Sequence, residues 1–280
     1  MISAEGEKGH GNKTAIPFGI LCIMLLLATF GYASADTLTV AVEDEAAPWS
    51  QKDGSGFAND IVKAAFKASK VDIQLQVVPY SRCRHMVVQG EVAACFSMSW
   101  VPELEREVVF SAKPLFVCYS DYFVNTSKPM AVSSENDIPS GTTIGTVINY
   151  EYPPSFYNLK RVVIEESISE KVLLKKLAAG RIDLAIINYN ETKPYEKIVA
   201  EAGVTGRVKP AFRSGILKSF IGFSEKHPQG QLARKKFNEG YKVISANGVL
   251  DKIRRQWIDK ARAEIKELNG GEANSDEKNH

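Results

Sequence analysis

Apolar and polar positions follow a repeating order of strand-like and helix-like patterns along the chain. Residues 38–42 (LTVAV) are a short apolar run of the strand type. A loop over 43–55 carries Pro48 and Trp49. An amphipathic helix follows, with Ile61, Ala64, Ala65 and Ala68 on one face. Residues 71–78 alternate as a strand does, and Pro79-Tyr80-Ser81 turns the chain into a helix over 82–89. Gly90 ends that helix, and the run 92–96 has the continuous apolar character of a strand buried on both faces of a parallel sheet. The order is β-α-β-α-β.

The same order recurs. Residues 143–148 read as a strand, 149–158 as a loop with at most a short helix, and 161–164 as a strand. Ser167-Ile168-Ser169-Glu170 reads as a helix cap before the stripe Val172, Leu173 and Leu177. Gly180 then precedes a strand over 182–187. VVQGEVAACFSMS and KLAAGRIDLAIINYN share one plan: an apolar helix end, a glycine, a buried strand and a polar sequel. Two similar α/β lobes are the simplest explanation, each a mostly parallel sheet flanked by helices. Right-handed crossovers place the following loops on one edge of each sheet. The extended runs 115–124 and 209–223 are read as two crossings between lobes, with helices over 230–244 and 249–266. The expected division is lobe 1 over 36–120 plus 217–264 and lobe 2 over 121–216, including hinge strands. The hinge falls near 119–125 and 213–218, and 265–280 is read as a disordered polar tail.

The 280 residues suffice for one large or two modest domains. A net charge of +2 with no basic stripe speaks against nucleic-acid binding. The N-terminus stands apart. Residues 15–30 (AIPFGILCIMLLLATF) are almost wholly apolar yet short for a membrane span, and Ala33-Ser34-Ala35 follows. Residues 1–35 are read as a secretory signal peptide cleaved after Ala35, an uncleaved anchor being the rival. Leu21 before Cys22 is too large for a lipoprotein cleavage site. Export permits disulfides, and Cys83, Cys95 and Cys118 allow one pair in three arrangements. Cys83 shares a helical stripe with Met86 and Val87, and Cys95 sits inside an apolar strand, so buried free thiols are the plainer expectation. The cysteine spacing matches no metal site.

In open α/β sheets, ligands sit outside the carboxyl ends of the strands. That rule nominates Glu43 and Trp49 after the first strand, Tyr80 and Arg82 after the second, and Ser97, Ser99 and Trp100 after the third. In the second lobe it nominates the loops 149–152, 167–169 and 188–190, and within them Asn149, Tyr150, Ser167 and Asn188. Such side chains stack on or hydrogen-bond to a small polar ligand. The competing roles are lobe packing for Trp49 and Trp100, loop cover for Tyr150, helix capping for Ser167 and a solvated surface for Arg82.

LTVAVEDEAAPW, GFANDIVKAAF, VPYSRC and PELEREVVFSAKPLF, with IPSGTTIG, LAAGRID, FIGFSEKHPQG and FNEGYKVISANG in the later part, follow an order that resembles bacterial extracellular solute-binding proteins of family 3, the polar amino-acid type. The resemblance spans about residues 38–261. It implies a two-lobed periplasmic-binding-protein-like fold, a ligand in the interlobe cleft and a periplasmic location. It also implies delivery of a small polar solute to the permease of an ABC-type transporter, or to a membrane sensor. A monomer is expected, with no cofactor and no metal. A dehydratase-like enzyme on the same fold is the remaining alternative, with Glu43 or Glu151 as its acid. The chain departs from the family where amino acids are recognised. Leu104 stands where the resemblance puts an arginine for the ligand carboxylate, and Asn188 where it puts an aspartate for the ammonium. Glu43 matches a position that is often acidic, and Ala46 one that is often aromatic. Ordinary α-amino acids are therefore expected to bind poorly.

Overall fold

The computed structural model describes residues 37–276. The expected signal peptide, 1–35, and the last four residues of the expected tail lie outside the described residues.

The first lobe opens with β1 (Leu38–Glu43), a small hairpin of β2 (Glu45–Ala46) and β3 (Ser50–Gln51), and α1 (Phe57–Ala68). It continues through β4 (Ile73–Val78), α2 (Tyr80–Gln89), β5 (Ala94–Ser99), α3 (Pro102–Glu105) and β6 (Val109–Phe110). The long β7 (Phe116–Asn125) leads into the second lobe: β8 (Thr143–Val147), α4 (Pro154–Tyr157), β9 (Val163–Ser167), α5 (Glu170–Ala178), β10 (Leu184–Tyr189) and α6 (Tyr195–Glu201). The chain returns along β11 (Val208–Phe223) and ends in α7 (Gly230–Ala246) and α8 (Val249–Asp276). Gly90 and Gly180, at φ 82° and 66°, follow α2 and α5 in the left-handed conformation that stops a helix.

β4, β1 and β5 pair in parallel, as do β10, β8 and β9. These two parallel sets are not separate sheets. β7 and β11 pair antiparallel from Val208↔Asn125 to Ser219↔Phe116 and join both sets into one nine-stranded sheet, with β6 beside β11. This pair of crossings carries the sheet ladder through both lobes, which explains why each strand is so long.

Each strand set buries both faces, so adjacent residues enter different cores. Val40 and Val42 pack with Phe66, Phe237 and Trp257 under α1, α7 and α8, whereas Ala41 faces Met86, Met98 and Leu104. In the second lobe Ala185 and Ile187 face Leu173 and Ile198, while Leu184 and Ile186 face Tyr122 and Phe156.

Four findings depart from the sequence expectations. Cys83 and Cys95 are disulfide-bonded, with Cα atoms 5.8 Å apart, so only Cys118 is a buried free thiol among the described residues. Apolar surroundings hide two cysteines from each other in the sequence, but α2 packs directly on β5. The α5 cap is Ser169, whose Oγ accepts from the Val172 N–H at 3.3 Å; Ser167 is the last residue of β9. α8 continues through the glycines beyond Lys266 to Asp276. α6 occupies a stretch that carries no clear periodic signal.

Candidate ligand-binding site

A cavity of about 40 Å³ lies between the lobes, at the meeting point of the strand ends and the two crossing strands. Lobe 1 contributes Glu43, Ala46, Trp49, Tyr80, Ser97 and Ser99, and lobe 2 contributes Tyr150, Glu151 and Asn188. Phe116, Cys118, Leu217 and Ser219 of β7 and β11 complete the lining. Such a volume holds one or a few waters, so the cleft must widen to admit an organic solute.

Local backbone chemistry aims these side chains. β5 pairs with β11 through a bulge: Met98 opposes Phe220, Phe96 opposes Ile221, and Ser97 between them is the extra residue, at φ 66°. A bulge of this kind turns one side chain out of the ladder. The Ser97 Oγ is buried at the cavity without a hydrogen-bond partner. Strand alternation then brings Ser99 to the same side and turns Trp100 outward, 39% exposed. On α2, Tyr80 faces the cavity while Arg82, two residues on, is exposed. Asn149, at φ 64°, is exposed one residue before the inward Tyr150, and Ser167 is buried on the edge strand β9 away from the cavity. The cavity thus gathers Glu43, Trp49, Tyr80, Ser97, Ser99, Tyr150 and Asn188, while Arg82, Trp100, Asn149 and Ser167 stand apart from it.

Three contacts close the lobes on each other. The Tyr80 hydroxyl donates to the Glu151 carboxylate. Trp49 Nε1 donates to Asn190 Oδ1 at 3.3 Å. Lys193 Nζ lies 4.5 Å from the Trp49 ring centre and pairs with Glu170 at 2.5 Å. Asn188 is fixed from both sides: its Oδ1 accepts from the Ser120 hydroxyl at 2.6 Å, and its Nδ2 donates to the Glu151 carbonyl at 3.0 Å. The strand-end rule reaches Glu151 and Asn190 within its loops 149–152 and 188–190, but not Lys193 or Glu170, which lie beyond those loops where no local pattern specifies the direction of the chain.

The electrostatics are unusual for so small a space. Burial, with Glu151 nearby, pushes the Glu43 carboxyl up to about 8, against the pull of Lys193. Burial raises Glu151 to about 7 even though the Tyr80 hydroxyl and backbone donors favour its ionised form. Burial and Glu151 raise Tyr80 well above the usual phenol range, and burial and Glu43 do the same for Tyr150. Among the described residues, no group of three or more His, Cys, Asp or Glu is arranged to hold a metal ion. Leu104 is fully buried in the lobe 1 core with Val101 and Val108, away from the cavity.

The model for bacterial extracellular solute-binding proteins, family 3, matches residues 38–260. The chain belongs to this family. Arginine-binding extracellular protein ArtP of Bacillus subtilis (strain 168) is 24% identical over 255 residues, covering 85% of this chain and 94% of that protein. A histidine kinase sensor domain with similarity to periplasmic binding proteins superposes with a TM-score of 0.65 at 18% identity, over 80% of this chain and 96% of the other. A mutant of ArgBP from T. maritima also gives 0.65, at 14% identity, over 80% and 95%. These likenesses establish the two-lobed binding-protein fold. The family places this chain among solute-binding proteins.

Proposed function

We propose that this family 3 protein is a periplasmic binding protein that captures a small polar solute between its lobes and delivers it to an ABC-type transporter. The observation that carries the reading is the cavity itself. Polar and aromatic groups of both lobes converge where two crossing strands join them. Closure by a hinge in β7 and β11 seals the solute in, with lobe 1 as 36–120 plus 217–264 and lobe 2 as 121–216. Register breaks in the β7–β11 ladder at Pro210/Phe212 and Arg213/Gly215 put irregular backbone where such a hinge bends. Export follows cleavage after Ala35, and the protein acts as a monomer toward its membrane partner.

A thermal-shift screen against amino acids, amines, sugars and organic acids tests the reading. A true ligand raises the melting temperature progressively once its concentration exceeds Kd, and is recovered chemically unchanged. Consumption of the ligand would instead place the protein with enzymes on this fold. Handing the ligand to a membrane sensor is the second reading, favoured by the structural likeness to a kinase sensor domain. Reconstituted transport with the cognate permease separates the two.

A further inference from the structure

Taking the solute-binding reading as given, we infer that the solute is a small organic cation, an amine or guanidinium compound without a carboxylate. Glu43 and Glu151 are the only acidic or basic side chains among the described residues lining the cavity, and they come from opposite lobes. Trp49, Tyr80, Tyr150 and Phe116 surround them with aromatic rings. Paired carboxylates inside an aromatic wall form a cation site, combining ion pairing with cation–π attraction. An independent feature points to a polar ligand in this cavity. Ser219 is only 3% exposed, lines the cavity, and its Oγ has no hydrogen-bond partner. A buried hydroxyl left unpaired costs stability, and its lone pairs can accept an ammonium or guanidinium N–H; the sign of the ligand's charge rests on the two carboxyls.

The cavity has nothing to neutralise a ligand carboxylate. Among the described residues no lysine or arginine lines it, Leu104 is buried elsewhere, Lys193 just outside is committed to Glu170 and the Trp49 ring, and Arg84 pairs with Glu107. Burying an unpartnered carboxylate against Glu43 and Glu151 is strongly unfavourable. The approach is selective too. A groove of about 560 Å³ shares Glu43, Tyr80 and Tyr150 with the cavity, and its lining adds Asp44, Glu45, Glu170 and Glu201 against two lysines. An acidic approach concentrates cations.

Burial holds protons on Glu43 and Glu151 near neutrality in the closed cleft, with Asp44, Tyr80, Arg84, Tyr150, Glu170 and Lys193 around them. A bound cation replaces those protons. Amine binding therefore strengthens from about pH 6 to about pH 8 and releases protons to the buffer.

Matched pairs make the test. Calorimetric titration compares cadaverine with lysine, and agmatine with arginine, since the members of each pair differ by the carboxylate. The amine of each pair is expected to bind at least tenfold more tightly, with a heat that changes with the ionisation enthalpy of the buffer. Glu43→Gln and Glu151→Gln should each weaken amine binding tenfold or more while melting cooperatively, and Glu91→Gln on the outer surface should leave it unchanged. Equal or tighter binding of the amino acids overturns the inference, as does unaltered amine binding by both cleft variants. If a sugar, polyol or organic acid binds and no amine does, the inference falls and the solute-binding reading stands. Absence of binding by every class overturns both.

Discussion

At the residue scale, Glu43 decides most. Its folded carboxyl titrates near 8 rather than at its ordinary 4.5, so the folded protein holds a proton that the unfolded chain releases. Stability from this group is fully present below pH 4.5 and is lost as pH rises to about 8. The unliganded protein should therefore melt at progressively lower temperature from about pH 5 to about pH 8. Glu43→Gln should flatten that slope and stabilise the protein near pH 8 by about 1–3 kcal/mol. A fully closed cleft would give more, at about 1.4 kcal/mol for each tenfold change in proton affinity. The discount is physical: an opening cleft lets Glu43 ionise in water before the chain unfolds. Melting curves across this range check the prediction, and a variant that follows the wild-type slope would show that Glu43 is already hydrated. The neighbouring serines show what a single position can do. One bulge residue at φ 66° is enough to present Ser97 to the cavity.

At the scale of elements, the tightest joint is between α1 and α7. A Cβ on Gly240 would lie 1.7 Å from the Ala65 carbonyl oxygen, so the helices touch backbone to backbone. Phe66 and Phe237 pack beside this contact, with ring centres 5.7 Å apart. Gly240→Ala must push the helices apart, and should lower stability by about 1–3 kcal/mol, the usual cost of overpacking. Glu239→Ala, on the exposed side of the same helix, should stay within about 0.5 kcal/mol. Chemical denaturation of both variants makes the comparison. In the opposite core of lobe 1, the Cys83–Cys95 bond ties α2 to β5. That bond anchors the helix that begins with Tyr80 to the strand that ends with Ser99, so two cavity residues share one covalent brace. The second lobe lacks such a brace among its described residues. There Asn125, at the far end of β7, donates to the carbonyls of Leu177 and Ala178 and closes the end of α5 instead.

At the scale of the whole molecule, α8 spans both lobes. Trp257 Nε1 donates to Asp60 of α1 at 2.8 Å, and further along the helix Glu264 pairs with Lys197 of α6. Lys197 is almost fully buried and also reaches Glu201 at 3.5 Å. A clasp of this kind favours the closed form, so opening must break it or carry the helix end along. Lys197→Ala should enlarge the radius of gyration of the unliganded protein, and a saturating ligand should restore the wild-type value. Small-angle scattering measures both. Identical unliganded radii for wild type and variant would remove α8 from the closing mechanism. The crossing strands carry a second connection. Arg213 pairs with Asp121 at 2.9 Å and donates to the Tyr189 hydroxyl, which in turn donates to Asp121 at 2.6 Å. This cluster sits at a register break of the β7–β11 ladder, where its polar contacts replace ladder order.

Much of this was legible before folding because it depends on local periodicity. Residues such as Val40, Ile61, Leu173 and Ile186 carry the period of their element, and glycines such as Gly90 and Gly180 mark where a helix must stop. The strand-end rule then reached Glu43, Trp49, Tyr80, Ser97, Ser99, Tyr150 and Asn188, since each ends a strand or lies in the loop that follows one. Arg82, Trp100, Asn149 and Ser167, nominated by the same rule, stand apart from the cavity lining, since side-chain direction changes within two residues on a helix and within one on a strand. Other features arise only when distant segments meet. The partner of Cys83, the contact of Lys193 with Trp49, the unpaired hydroxyl of Ser219 on the returning strand, and the helix end that clasps both lobes all depend on chain segments that only folding brings together. The charge of the cleft belongs with them. Glu43 and Glu151 are ordinary acids in an unfolded chain. Only the closing of two lobes on one small cavity brings them together, and burial there, not residue type, sets their protonation.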